Sequence, residues 1–147
     1  MIALDHAFFM KKALLLAQQA YDEGEVPIGA IIVANNEIIG KGYNQVERLF
    51  DSTAHAEMLA ITAAFNHLQA KFLDQCILYV TIQPCVMCAG AIKNARLSKV
   101  VYGANEPKTG CSMHLQPEFL NHKTEWINGI MTDECAALMK NFFTQLR

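Results

Sequence analysis

Two runs, CILYVTI at residues 76–82 and KVVYGA at residues 99–104, are apolar at nearly every position. A strand with one wet face alternates apolar and polar residues, so unbroken runs of this kind belong to strands covered on both faces. The segment between them opens with Pro84, suited to the first turn of a helix, and keeps helical character as far as Ala95. Strand, helix, strand is a crossover unit, and crossovers build parallel sheets with helices on their faces. This constrains the fold more than any other feature of the chain.

The remaining segments extend the pattern. From Asp5, the residues Met10, Ala13, Leu14, Ala17 and Tyr21 keep helical spacing, and Gly24 supplies a stop. IGAIIVANNEIIGKGYN reads as strand, turn, strand, with Asn35-Asn36 in the turn. QVERLFDS reads as a polar loop, and residues 53–68 as a second helix. Residues 105–123, with Pro107, Gly110 and Pro117, read as irregular. TEWINGIM supplies a short edge strand and DECAALMKNFFTQL a last helix. The expectation is one domain spanning residues 1–147, three-layer α/β/α, with a central mixed five-stranded sheet begun by an antiparallel hairpin. Such layers fold without any active site, so function has to be argued from particular residues.

At 147 residues, about 68–70% of the unfolded surface can be buried, and a core needs no disulfide staples. Five cysteines, an odd number, therefore point to a reducing, cytoplasmic compartment. The apolar patch ALLLA is too short for a signal-peptide core, and Asp5 precedes the lysines beside it. No run is long enough to span a membrane. A formal charge of −2 argues against a general nucleic-acid coat while leaving room for one basic face.

Cys85 and Cys88 lie in TIQPCVMCAGAI. A CxxC alone fits a redox pair, a structural zinc knuckle, a catalytic metal site or two buried thiols. Thirty positions earlier, TAHAEM carries His55 and Glu57. The bland reading is a satisfied core histidine and a capping carboxylate, but a capping box needs Ser or Thr at the position held by Ala54. Cysteines at i and i+3 share one face of a helix's first turn, where the helix N-terminus favours thiolate. His55 then completes three protein ligands, and the fourth position is left to water, as in a catalytic zinc site. Glu57 can reach that water without binding the metal. Cys76, Cys111 and Cys135 have no paired spacing and read as packing, so a closed four-ligand site lacks its fourth member. A redox pair leaves His55 and Glu57 without a role.

His-x-Glu followed by Pro-Cys-x-x-Cys is the signature of zinc nucleobase deaminases. EVPIGA, GYN, TAHAEM, LYVTIQPCVMCAGAI, VYGANEPKTG, NGIMTDECAAL and NFF follow one another over residues 22–143. In that order they resemble the bacterial tRNA-specific adenosine deaminases, within the zinc-dependent cytidine and deoxycytidylate deaminase family. The resemblance implies a cytidine deaminase-like fold and one Zn2+ per subunit on His55, Cys85 and Cys88. It implies hydrolytic deamination of adenosine to inosine at the wobble position of a tRNA anticodon, with Glu57 as general acid and base. It further implies a homodimer, an anticodon stem-loop as partner, a base or ribose contact by Asn44, and a pocket wall at EVPIGA including Pro27. An aromatic pair matching Phe142-Phe143 would lie against the loop, although periodicity alone makes one of the two core. Lys108, Lys123, Lys140 and Arg147 could form a positive face.

This sequence departs from the family at three places. Gln83 stands where relatives usually carry Glu, the segment from Lys108 to His122 is a few residues short, and NFFTQLR lacks the longer basic tail of some members. The last two touch the RNA-binding surface. The alternative they leave open is a small-molecule deaminase acting on cytosine, guanine or a free nucleoside.

Overall fold

The computed structural model describes residues 5–121 and 123–146. Helix α1 (His6–Asp22) is capped by Asp5, whose carboxylate accepts the Phe8 N–H at 3.1 Å. Strands β1 (Gly29–Ala34) and β2 (Glu37–Tyr43) form the expected hairpin. Asn35 and Asn36 both take positive φ, 50° and 63°, as a tight primed turn requires. Then follow α2 (Val46–Leu49), α3 (Ala56–Leu68), β3 (Ile77–Ile82), α4 (Val86–Ala95) and β4 (Lys99–Ala104). A 3-10 turn at Cys111–Met113, α5 (Pro117–Leu120), β5 (Glu125–Ile127) and α6 (Thr132–Gln145) complete the order.

The sheet has five strands in the order β2-β1-β3-β4-β5. β1 pairs antiparallel with β2 and β3, while β3, β4 and β5 run parallel. The apolar runs divide by alternation. Ala30, Ile32, Leu78, Val80 and Val100 pack with Ala60 and Ala64 of α3 and Ile92 of α4. Ile31, Val33, Ile77, Tyr79 and Val101 pack on the other face with Phe9, Met10 and Ala13 of α1 and Cys135 of α6. Both faces are therefore covered, as the two uninterrupted runs demand. Among the described residues no helix is long and apolar enough to cross a membrane.

Three local expectations shift. Helix α3 starts at Ala56 rather than Thr53, because Asp51 ties the preceding chain into a turn. Its Oδ1 accepts the Thr53 N–H at 2.8 Å and the Thr53 hydroxyl at 2.7 Å. Helix α4 starts at Val86 rather than Pro84, with Cys85 extended at φ −77°, ψ 177°. The segment read as a polar loop holds the single turn α2. Its first amides are satisfied by the buried carboxylate of Glu25, which accepts the Glu47 N–H at 3.0 Å and the Arg48 N–H at 2.8 Å.

Candidate active site

His55 and Cys85 occupy equivalent places, each the N-cap residue of the helix that follows. Helix α3 crosses β2 so closely that a side chain at Gly42 would strike the Ala56 carbonyl oxygen. That close approach brings the start of α3 up to the start of α4 at the carboxyl end of β3. His55 Nδ1 consequently lies 3.6 Å from Cys85 Sγ and 3.6 Å from Cys88 Sγ. The three ligand atoms all lie within 4.8 Å of one another. Tetrahedral zinc, with Zn–S of ~2.3 Å and Zn–N of ~2.0–2.1 Å, would hold an imidazole nitrogen and a thiolate roughly 3.6 Å apart. The donor set and its spacing fit a metal ion. No other His, Cys, Asp or Glu joins the group among the described residues. Cys76, Cys111 and Cys135 are free, buried thiols that pack in the core.

The three groups bias one another's protonation. Hydrogen bonds from Cys88 and His55 hold the Cys85 thiol down to about 3, against the cost of burial. The Cys88 thiol is pushed far up, first by its hydrogen bond to Cys85 and then by burial and the charge of Glu57. His55 is raised mainly by its bond to Cys85. One thiolate is therefore tolerated and the second is not; a dication would reverse this by stabilising both. Glu57 is only 3% exposed, and burial raises its carboxyl to about 7. A carboxyl of that kind can both accept and give a proton near neutral pH.

A cavity of about 290 Å³ opens onto these groups. This is at the small end of the ~300–1,000 Å³ typical of ligand pockets, suited to one flat ring rather than an extended molecule. His55, Glu57 and Cys85 form its floor. Val26, Ile28, Met139 and Phe143 supply apolar lining, and the more exposed Glu106, Lys108 and Thr109 the rim. Residues 4–147 match the MafB19-like deaminase family. The chain belongs to that deaminase family. It is 46% identical over 143 residues to the tRNA-specific adenosine deaminase of Bacillus subtilis (strain 168), covering 95% of this chain and 89% of that one. Among solved structures, a protein from a study of A-to-I editing by tRNA:A34 deaminases at the wobble position superposes with a TM-score of 0.83 at 38% identity. That match covers 89% of this chain and 98% of the other. A guanine deaminase from Bacillus subtilis is also 38% identical, with a TM-score of 0.68 over 78% of this chain and 80% of its own.

Not every residue expected at a deaminase site reaches the cavity. Lys108 and Phe143 do. Pro27 does not: it is buried at the centre of a tight turn in which the Ile28 N–H donates to the Val26 carbonyl at 2.8 Å, while Val26 and Ile28 line the cavity. Asn44 is buried beside the wall, with its N–H on the Ile28 carbonyl at 3.1 Å, and is not among the lining residues. Lys123 and Lys140 do not line the cavity either, and Arg147 and His122 lie outside the described residues. Phe142 is a correction to the aromatic pair. It is 8% exposed and packs edge-on against Tyr21 at 5.9 Å, whereas Phe143 is 43% exposed at the cavity wall. Replacing Phe142 by Ala should cost about 3–5 kcal/mol of stability in a denaturant titration. Phe143→Ala should leave stability within ~1 kcal/mol and weaken substrate instead. The reverse pattern would contradict this division. Val26 and Ile28 come from the EVPIGA segment expected as pocket wall, whereas Met139, Glu106 and Thr109 were not singled out; only the i, i+4 spacing of Met139 and Phe143 on one helix could have drawn attention to Met139.

Proposed function

We propose that this chain is a zinc-dependent hydrolase, a single deaminase domain that converts adenosine to inosine at the wobble position of a tRNA anticodon. The observation that carries the chemistry is the convergence of His55 Nδ1 on two thiol sulfurs, with the buried Glu57 carboxyl beside them on the floor of one ring-sized cavity. His55, Cys85 and Cys88 would hold one zinc ion per chain. When bound, the ion supplies an activated water near neutral pH. A carboxylate oxygen of Glu57 takes a proton from that water and passes it to the ring nitrogen next to C6. The same carboxyl then moves a second proton to the departing amine, so that adenosine and water become inosine and ammonia. Val26, Ile28, Met139 and Phe143 press on the faces and edges of the ring and exclude bulk water. Lys108 offers a cation to a phosphate at the rim.

The similarity to named tRNA-specific adenosine deaminases supports the RNA substrate. An adenine must leave its stack to enter so small a cavity, and an anticodon loop offers unstacked bases. A homodimer is part of the reading, supported by the exposed apolar side chains of Leu49, Phe50 and Val86, as is a cytoplasmic setting. The second reading, a small-base deaminase, is favoured by the likeness to a guanine deaminase. Which substrate releases ammonia decides between them. The test compares an anticodon stem-loop bearing wobble adenosine with free cytosine, guanine and adenosine, at low and at physiological salt. We expect the stem-loop to be turned over and its KM to rise steeply with salt, because each neutralised phosphate adds to the salt slope. Turnover of guanine or cytosine with flat salt dependence, and an untouched stem-loop, would establish the second reading.

A further inference from the structure

Gln83 has no role in the chemistry above, yet it is buried at the edge of the cavity and both ends of its amide are engaged. Its Oε1 accepts the Glu106 N–H at 3.1 Å, and its Nε2 donates to the Ser112 hydroxyl at 2.7 Å. Glu106 and Ser112 bracket the rim segment that carries Lys108 and Thr109. The segment folds over this amide so tightly that a side chain at Gly110 would collide with Gln83 Oε1. The segment is also held by the Cys111 N–H on the Pro84 carbonyl at 2.9 Å, by the Cys85–Gly110 bridge and by the buried Cys111 side chain. The Lys108 side chain is exposed, while its N–H donates to the Glu106 carboxylate at 3.0 Å and its carbonyl lies 3.0 Å from His114 Nε2.

We propose that Gln83 is a positioning residue for substrate specificity. Its side-chain amide crosslinks the end of β3 to the 106–112 segment and so holds Lys108 and Thr109 at the cavity rim, where a polyanionic loop substrate is gripped. Both ends of the amide are held by the protein, which fixes the orientation of the side chain at the cavity edge. Its effect runs through the segment it anchors. A carboxylate at this position could accept both the Glu106 N–H and, with the hydroxyl rotated, the Ser112 O–H. A side chain of similar length without polar atoms could do neither, and would leave the Glu106 N–H without its partner. The inference rests on the RNA reading under the proposed function, and the experiment separates the two.

The test uses full-length zinc-loaded protein and measures kcat and KM on the wobble-adenosine stem-loop, zinc content and thermal midpoint for wild type, Gln83→Met, Gln83→Glu, Ser112→Ala and the Gln83→Met/Ser112→Ala double variant. We expect Gln83→Met to raise KM by about tenfold, the equivalent of one net hydrogen bond, with kcat changed much less and zinc retained. Gln83→Glu should restore KM to within about threefold of wild type at pH 8. Ser112→Ala should cost less than Gln83→Met, and the double variant no more than Gln83→Met alone, since both changes break one tie. If wild type does not act on the stem-loop, the proposed function fails and the inference with it. If wild type acts on it and Gln83→Met keeps its KM, or loses kcat, zinc and thermal stability together with no separate rise in KM, the positioning role is wrong while the proposed function stands.

Discussion

Replacing Glu57 by Gln should abolish turnover while leaving the metal in place. Glutamine preserves the shape of the side chain and a polar partner for the Cys88 thiol, but it cannot accept the proton of the attacking water. General acid–base catalysis is commonly worth about 10²–10⁴-fold, and here one carboxyl serves more than one proton transfer, so the loss should sit at the upper end. The substitution should not weaken the fold. Burial already disfavours the ionised carboxyl, raising it from 4.5 to about 7. Between those values the unfolded chain has given up this proton and the folded metal-free chain still holds it, so Glu57 lowers stability as pH rises through that window. The metal-free Glu57→Gln protein should therefore gain on wild type across it. A variant that keeps more than about a tenth of wild-type kcat would show that Glu57 is not the proton carrier.

The ligand substitutions should behave differently, because they remove the metal as well as the activity. Cys88 is fully buried and its sulfur lies 3.6 Å from His55 Nδ1, so Cys88→Ala leaves two donors where a tight zinc site needs three or four. We expect zinc content to fall from about one per chain to well below a tenth, with activity lost in parallel. His55→Ala should do the same. In the zinc-loaded wild type, Cys85 and Cys88 should resist disulfide formation, since both sulfurs are occupied by the ion. Zinc retained in full by Cys88→Ala, measured by elemental analysis, would mean that the ion sits elsewhere.

The residues that could hold a metal were legible because each lies next to a helix start, and helix starts are marked locally. Pro84 flagged the first turn of α4, and three-residue spacing put both thiols on one side of it. Even the errors at the helix starts were informative. His55 and Cys85 are N-cap residues rather than helix residues, and for His55 the turn around Asp51 that precedes it depends on a hydrogen bond too local for apolar periodicity to register. The layers were legible for a similar reason. Residues 77–82 are apolar on both sides of the strand, which leaves no face for water. What stayed hidden depends on contacts between distant residues. The Glu25 carboxylate that organises α2 comes from 22 positions earlier in the chain, and the Gln83 tie to Ser112 spans 29. Nor can spacing say which of two adjacent phenylalanines turns inward; that is settled by Tyr21 of α1 lying against Phe142.

The central claim is that a metal held by His55, Cys85 and Cys88 lets this chain deaminate a wobble adenosine. The most direct measurement is inosine formation at the wobble position of an anticodon stem-loop as zinc is returned to metal-free protein. The account predicts no inosine without metal, a rise in proportion to zinc, and a plateau near one ion per chain. Inosine formed at the full rate by the metal-free protein, or a stem-loop left unchanged at every zinc concentration, would contradict it.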